Sequence, residues 1–199
     1  TYTLLVRDSW NTYAGGFVLS WRKVSMPCSA VSIGCGQVLS GSISAADQIN
    51  FYTYTAVAGD VVTIRLRKTS GAFTPYFELY NPAGARYWGP GMEYRGTLAA
   101  AGVYKVLVRD YYNVDGGDYL LYLEKVKGSC NVVGDLVCEQ VVSGTIGTSV
   151  DPPPWRVYTF TGAVNDAVTI RSRSTSEGSF YPYIELYDPS GVLLQSAQQ

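Results

Sequence analysis

The chain has 199 residues, 47% of them hydrophobic and 16% charged, which suffices for one large or two ordinary domains with hydrophobic cores. Its formal net charge of −1 gives no reason to expect nucleic acid or an anionic membrane as a partner. It contains no histidine, which removes the commonest general base and the commonest zinc ligand together. No run of about 18 apolar residues occurs, so we expect no membrane-spanning helix.

No signal peptide is visible and the first residue is not methionine, so we expect a mature or excised product.

The first predicted element is a strand at the start of the chain. The sequence TYTLLVRD, Thr1–Asp8, alternates so that Tyr2, Leu4 and Val6 fall on one face of a strand. The sequence VYKVLVRD, Val103–Asp110, repeats this pattern 102 residues later. The two segments therefore mark an internal duplication.

The duplication continues along the chain, with an offset that rises from 102 to 107 residues. Its further matches are Cys28 with Cys130, Cys35 with Cys138, VLSGSI with VVSGTI, YTYTAVAGDVVTIRLRKTS with YTFTGAVNDAVTIRSRSTS, and PYFELYNPAG with PYIELYDPSG. One complete unit then covers residues 37–139. Residues 1–36 correspond to the back part of a unit, and residues 140–199 correspond to the front part of another.

Within each unit the apolar residues alternate with period two. Val62, Ile64 and Leu66 face one side of a predicted strand, and Phe77 and Leu79 face one side of the next. Turn sequences such as AGD, NPAG and GGD separate the segments, and no segment has a convincing helical pattern. The sequence predicts an all-β protein made of antiparallel β-sandwich or jelly-roll repeats of about 100 residues, each with seven or eight strands.

The segments AGDVVTIRL, YFELYNPAG, AGVYKVLVRD and GGDYLLYL resemble the bacterial pre-peptidase C-terminal (PPC) domain. The resemblance covers the complete unit and most of both partial units. It implies a secreted, jelly-roll-like accessory module, of a kind found in tandem arrays or behind a protease. No peptidase domain is present in this sequence, and paired cysteines are not a general mark of that family.

The four cysteines form two close pairs in the sequence, Cys28 with Cys35 and Cys130 with Cys138. One interpretation is a four-thiolate zinc site, although zinc-binding pairs usually have two to four intervening residues. The interpretation we favour is a local disulfide within each pair, formed in an oxidising compartment.

Several polar clusters admit a functional and a structural interpretation. The sequence RDYYNVDGGD contains oxygen-bearing side chains of the kind that hold calcium: Asp110, Asn113, Asp115 and Asp118. The first copy has Tyr13 and Gly16 in place of two of these acids, which favours turn formation over metal binding. For the arginines that recur at Arg65 and Arg171, an anion or glycan site is the alternative to cross-strand ion pairs with glutamate.

The aromatic side chains also admit two interpretations, as surface contacts or as core residues. Tyr76 and Tyr80 are predicted to point outwards, where tyrosines can form sugar-stacking platforms or protein contacts. Trp21 is predicted to lie in the core, because it falls in a predicted strand. No catalytic motif appears, so the sequence predicts no catalytic residue, no cofactor and no enzyme activity.

The functional hypothesis rests on the two partial repeat units at the ends of the sequence. A sandwich without its closing strands exposes an apolar face and unpaired edges, which another segment must cover. The two partial units could combine within one chain, could combine between chains, or could be parts of a longer array. We favour a secreted structural subunit that forms an extracellular filament or array head to tail by strand complementation. The alternative is a PPC-like accessory module that binds glycan or protein on behalf of a secreted enzyme.

Overall fold

The computed structural model describes residues 1–17, 19, 21, 23–24, 29–148, 155–176, 178 and 180–198. Cys28, one of the predicted disulfide residues, lies outside these ranges. In the described ranges the secondary structure consists of thirteen strands without a helix. It follows that this part of the chain holds no helix with the length and apolarity needed to cross a bilayer. The protein is all-β, as the sequence predicts.

Nine strands form two sheets that pack face to face. They are β1 (Val31–Ser32), β2 (Gln37–Ile43), β3 (Ile49–Ala56), β4 (Asp60–Lys68), β5 (Pro75–Tyr80), β6 (Arg86–Gly91), β7 (Glu93–Leu98), β8 (Gly102–Asp110) and β9 (Gly117–Lys125). The first sheet has the order β1-β3-β8-β5-β6, and the second has the order β2-β9-β4-β7. All pairs are antiparallel except β1 with β3. We call this nine-stranded unit the complete sandwich.

The core of the complete sandwich follows the predicted alternation. The inward side chains of the two central strands are fully buried: Tyr104, Val106 and Val108 on β8, and Tyr119, Leu121 and Leu123 on β9. The predicted inward residues of β4 and β5 are buried with them, including Val62 and Phe77. Burying each such side chain stabilises the fold by about 1.5–3 kcal/mol, so the two central strands are the main source of the core.

The outer face of the first sheet is more buried than the sequence predicts. Tyr76, expected to point into solvent, is only 5% exposed, because the guanidinium of Arg109 lies 4.6 Å from its ring centroid and the Tyr111 ring lies 5.6 Å away. Burial raises the pKa of the Tyr76 phenol, while the charge of Arg109 partly opposes this. Glu78 is buried as well and lies 3.9 Å from Arg86. The period-two pattern fixes which face a residue is on, but long neighbouring side chains decide how covered that face is.

The disulfide pairing differs from the local pairing predicted from the sequence. Cys35 is bonded to Cys130, and Cys138 is an exposed free thiol. The reason is the sheet: β2 pairs with β9 so that Gln37 lies opposite Leu123, which brings the residues before β2 close to those after β9. The predicted bonds Cys28–Cys35 and Cys130–Cys138 are therefore wrong, because each would need a sulfur that the Cys35–Cys130 bond already uses.

The remaining described strands belong to the C-terminal part of the chain. They are β10 (Val132–Asp135), β11 (Val157–Thr159), β12 (Tyr183–Tyr187) and β13 (Leu193–Gln198). β10 pairs with β11 and β12 pairs with β13, as two separate two-stranded sheets. The β12–β13 hairpin contacts the complete sandwich through Glu185, whose carboxylate lies 3.6 Å from the guanidinium of Arg65.

The N-terminal segment contains no strand among its described residues, although the sequence predicts one at Thr1–Asp8. Trp21, predicted to be a core residue, is 75% exposed. The matching segment of the complete sandwich, β8, is a strand only because β3 and β5 hydrogen-bond to its two edges. Among the described residues the N-terminal segment has no such neighbouring strands, so its alternating pattern does not by itself produce sheet.

Candidate self-association site

We call the N-terminal segment, residues 1–24, the arm; its described residues, 1–17, 19, 21 and 23–24, present apolar side chains to solvent. Its residues stand 102 positions before those of β8 and β9. Leu4 is 70% exposed, whereas its counterpart Val106 is 0% exposed. Trp21 faces solvent in the same way, whereas its counterpart Leu123 is fully buried. The arm therefore has the alternating apolar residues of two central strands, but these side chains are exposed instead of buried in a core.

Six arm side chains correspond to the fully buried residues of β8 and β9. They are Tyr2, Leu4, Val6, Phe17, Leu19 and Trp21, and all of them are exposed. A group of large exposed apolar side chains of this size marks a surface that another protein segment covers.

The C-terminal part reproduces the first sheet without its central strand. In the complete sandwich the order is β1-β3-β8-β5-β6. By the repeat, β10 and β11 correspond to β1 and β3, and β12 and β13 correspond to β5 and β6. Both pairs are formed as separate sheets, whereas in the complete sandwich β8 occupies the position that joins the two corresponding pairs. We call this position the gap.

Apolar residues of the C-terminal part that correspond to β4 are also exposed. Val168 is 52% exposed although its counterpart Val62 is 0% exposed, and Ile170 is exposed although Ile64 is buried. The segments that correspond to β2 and β4, residues 140–146 and 166–174, form no strand. In the complete sandwich β9 lies between β2 and β4, so the second sheet of the partial unit lacks its central strand too.

The turn that joins β8 to β9 is already formed in the arm. The Asp8 carboxylate accepts hydrogen bonds from the N–H groups of Thr12, at 2.8 Å, and Trp10, at 3.1 Å. The Thr12 N–H lowers the pKa of Asp8 most strongly; desolvation opposes this shift, and the N–H groups of Tyr13 and Trp10 add to it, so that the pKa is below its ordinary value. Asn11 has a φ of 54°, in the left-handed region that asparagine tolerates.

The corresponding turn of the complete sandwich has the same geometry. The Asp110 carboxylate accepts the N–H of Val114 at 3.1 Å, and Asn113 has a φ of 58°. Asp110 also accepts the N–H of Thr74, just before β5, at 2.7 Å. The counterpart of that donor for Asp8 is Tyr181, just before β12. These contacts explain the acidic cluster as turn formation, and the described residues hold no cluster of three or more potential metal ligands.

An ion pair joins two neighbouring strands of the second sheet, β9 and β4, at the edge of the core. Lys125, at the end of β9, lies 2.9 Å from the carboxylate of Asp60 at the start of β4. Burial acts to raise the pKa of Asp60, but Lys125 and the N–H of Val57 more than reverse this, and the pKa is lowered overall. The counterparts of the pair are Lys23 in the arm and Asp166 in the partial unit. They provide opposite charges on the two surfaces.

The C-terminal part is anchored to the complete sandwich beside the disulfide. The indole N–H of Trp155 donates to the Glu124 carboxylate at 3.2 Å, and the Trp155 ring packs edge-on against Tyr122. Two arginines, Arg65 and Arg95, contact the Glu185 carboxylate. Arg65 also forms a cross-strand ion pair, 3.3 Å from Glu93 on β7, although the sequence pointed to Glu78 and not to Glu93 as the acidic partner. Sequence reasoning missed Glu124, whose role depends on a junction that no local pattern reveals.

These features define an all-β protein of the β-sandwich class. The structure is similar to the pre-peptidase C-terminal domain of a collagenase from Bacillus anthracis, with 24% identity and a TM-score of 0.39, over 50% of this chain and 98% of that one. This is the family that the sequence resembles. It is also similar to Aeromonas hydrophila PliG, a periplasmic inhibitor of g-type lysozyme, with 20% identity and a TM-score of 0.35, over 48% and 97%. No protein-family model and no curated protein sequence matches the chain.

Proposed function

We propose that this chain is a secreted structural subunit that assembles head to tail by strand complementation. In this proposal the arm of one copy enters the gap of the next copy and supplies the central strands of its partial sandwich. The observation that carries the proposal is the sheet order. β8 is the central strand of the first sheet, the C-terminal part forms the counterparts of the two strand pairs that flank it, and the arm carries a second copy of the β8 sequence.

The hydrophobic effect is large enough to drive such an insertion. Burying six large arm side chains contributes on the order of 10 kcal/mol, from about 1.5–3 kcal/mol for each. Association of two proteins costs about 4–15 kcal/mol in lost translational and rotational freedom. Exposed apolar residues of the partial unit, such as Val168 and Ile170, would be buried at the same time. The backbone hydrogen bonds of two central strands would add to this balance.

Preorganisation and charge favour the same occupant. The Asp8 turn already has the geometry of the connection between β8 and β9, which lie in different sheets, so less conformational entropy is lost on insertion. Lys23 would reach the position of Lys125, beside Asp166 in the position of Asp60. A segment of unrelated sequence would match neither the turn nor the charge.

A second copy is favoured over closure within one chain because the arm does not fill the gap of its own chain. Its apolar residues are exposed, while β10–β13 pack beside the complete sandwich through Trp155 and Glu185. A contact between the head of one copy and the tail of the next is heterologous, and it generates a filament unless the rotation closes a ring. The Cys35–Cys130 disulfide supports a secreted or cell-surface location.

Electron microscopy and light scattering of the purified full-length chain test the proposal. We expect filaments whose formation depends on concentration, and Val6→Asp should abolish them because it places a charge at a core position of the inserted strand. The matched control is Thr3→Lys, on the opposite face, whose counterpart in β8 is already a lysine, Lys105. The control should assemble normally. A chain that remains a compact monomer at high concentration would show the proposal to be wrong.

The second candidate function is the accessory binding module, directed at glycan or protein. It is favoured by Tyr111 and Tyr112, two exposed tyrosines at the β8–β9 turn whose ring centroids lie 5.0 Å apart. Exposed aromatic pairs of this kind stack on sugars or contact proteins. Binding of cell-wall glycans or proteins that Tyr112→Ala removes, in a preparation without filaments, would favour this function over assembly.

A further inference from the structure

Cys138 is an exposed free thiol at a position where the complete sandwich has a disulfide. By the repeat, Cys138 corresponds to Cys35, with an offset of 103 residues. The partner of Cys35 is Cys130, which corresponds to Cys28, with an offset of 102 residues. The Cys35–Cys130 disulfide leaves Cys28 and Cys138 over, and these two are the repeat counterparts of Cys130 and Cys35.

The disulfide of the complete sandwich joins the two ends of one unit. Cys35 stands just before the first strand of the second sheet, β2, and Cys130 follows its neighbour β9. The N–H of Gly36 donates to the Leu123 carbonyl at 2.8 Å, and the Asn131 side chain donates to the Gly36 carbonyl at 2.8 Å. The pairing of β2 with β9 therefore sets the two sulfur atoms side by side, although 95 residues separate them in the sequence.

In the partial unit, the segment that corresponds to β2 is residues 140–146, and Cys138 stands just before it. In the assembly proposed above, the segment that corresponds to β9 comes from the arm of a second copy, and Cys28 follows that segment in the sequence. We propose that Cys138 of one copy forms a disulfide with Cys28 of the next. This inference rests on the proposed strand complementation and adds a covalent bond to each junction.

The bond forms by thiol–disulfide exchange. The Cys138 thiol loses its proton and attacks a small-molecule disulfide such as glutathione disulfide, which releases one thiolate and leaves a mixed disulfide on Cys138. The Cys28 thiolate then attacks the Cys138 sulfur and releases the second thiolate. Two protein thiols lose two protons and two electrons in total, and the glutathione disulfide is reduced to two thiols. Cys138 is accessible for the first step because it is exposed.

The consequence is a covalently continuous filament. Within each copy the Cys35–Cys130 bond holds the ends of the complete sandwich, and between copies the Cys138–Cys28 bond holds the ends of the composite sandwich. The cross-link between copies should not be needed for insertion itself, since the apolar arm residues drive that step. It should instead prevent dissociation once insertion has occurred.

The test combines gel electrophoresis with a mixed-isotope digest of full-length chains assembled in glutathione buffer. Boiling in SDS without reductant should give a ladder of dimer, trimer and higher species, and dithiothreitol should collapse the ladder to one chain. Cys138→Ser should remove the ladder while filaments remain visible by electron microscopy. The matched control Cys35→Ser/Cys130→Ser retains Cys28 and Cys138 and should keep the ladder.

Assembly of ¹⁴N-labelled with ¹⁵N-labelled chains then identifies the bond. Cleavage after Asp and Glu separates Cys130 from Cys138, because Asp135 lies between them. The expected product is a three-peptide species in which the Cys138 peptide carries a different isotope from the other two. Filaments with free thiols at Cys28 and Cys138 would overturn the disulfide and leave the proposed function intact. A Cys28–Cys138 bond found only within single, monomeric chains would overturn both.

Discussion

The Nζ of Lys125 lies 2.9 Å from the Asp60 carboxylate and joins the end of β9 to the start of β4 at the edge of the core. The same two residue types recur as Lys23 in the arm and Asp166 in the partial unit. One ion pair is therefore made inside the complete sandwich, and the parts of a second are present on two surfaces that the proposed assembly brings together.

This relationship predicts a charge-swap rescue of assembly. Lys23→Glu or Asp166→Lys alone should raise the concentration needed for assembly roughly tenfold, about 1.4 kcal/mol, because each places two like charges together. The double variant should recover much of that loss. Light scattering against concentration measures the effect, and failure of the double variant to improve on either single variant would contradict the pairing.

A matched pair of truncations separates folding from assembly. Leu121→Ala removes a fully buried side chain of the complete sandwich and should lower its free energy of unfolding by about 2–5 kcal/mol. Leu19→Ala, at the same repeat position in the arm, should leave that free energy unchanged and weaken assembly instead. Urea unfolding at a dilution that prevents assembly gives the first quantity, and light scattering gives the second. Equal destabilisation by both variants would contradict the assignment.

The Asp110 turn predicts a pH dependence of stability. Burial would raise the pKa of Asp110, but the N–H groups of Thr74 and Val114 lower it overall. A carboxylate with a lowered pKa in the folded state stabilises the fold above its unfolded pKa, and this stabilisation is lost as the pH falls through the folded pKa. Urea unfolding should therefore show wild type more stable than Asp110→Asn at pH 6, with the difference shrinking below about pH 4. A difference that stays constant to pH 2 would show that the charge is not responsible.

The ion pairs of Glu185 predict how firmly the C-terminal hairpin is attached. Glu185→Gln should leave Arg65 and Arg95 with Glu93 as their remaining acidic contact and weaken the packing of β12 and β13. Because Glu185 is mostly shielded from solvent, we expect a loss of roughly 1–3 kcal/mol. Faster amide exchange in β12 and β13, with no change in β8, measures this effect. Glu139→Gln, at an exposed position, serves as the control and should leave exchange unchanged.

Local patterns in the sequence predicted the strand faces well. The alternation of Val62, Ile64 and Leu66 and of Phe77 and Leu79 is a short-range property, and these residues are buried as predicted. The covering of Tyr76 by Arg109 was not predictable in this way, because it depends on β5 and β8 being neighbours. The same limit explains the error at Trp21, where the strand pattern is present but the neighbouring strands are absent from the arm.

The sequence by itself determined the all-β class and the internal duplication of sequence, because alternation and repetition are properties of the chain alone. Only the tertiary structure decided that Cys35 bonds to Cys130, that Cys138 remains a thiol, and that β10–β11 and β12–β13 form separate sheets. The physical reason is that these features depend on which distant segments become neighbours in a sheet. The short spacing of the cysteines in the sequence favoured local pairs, but the pairing of β2 with β9 brings Cys35 next to Cys130 instead.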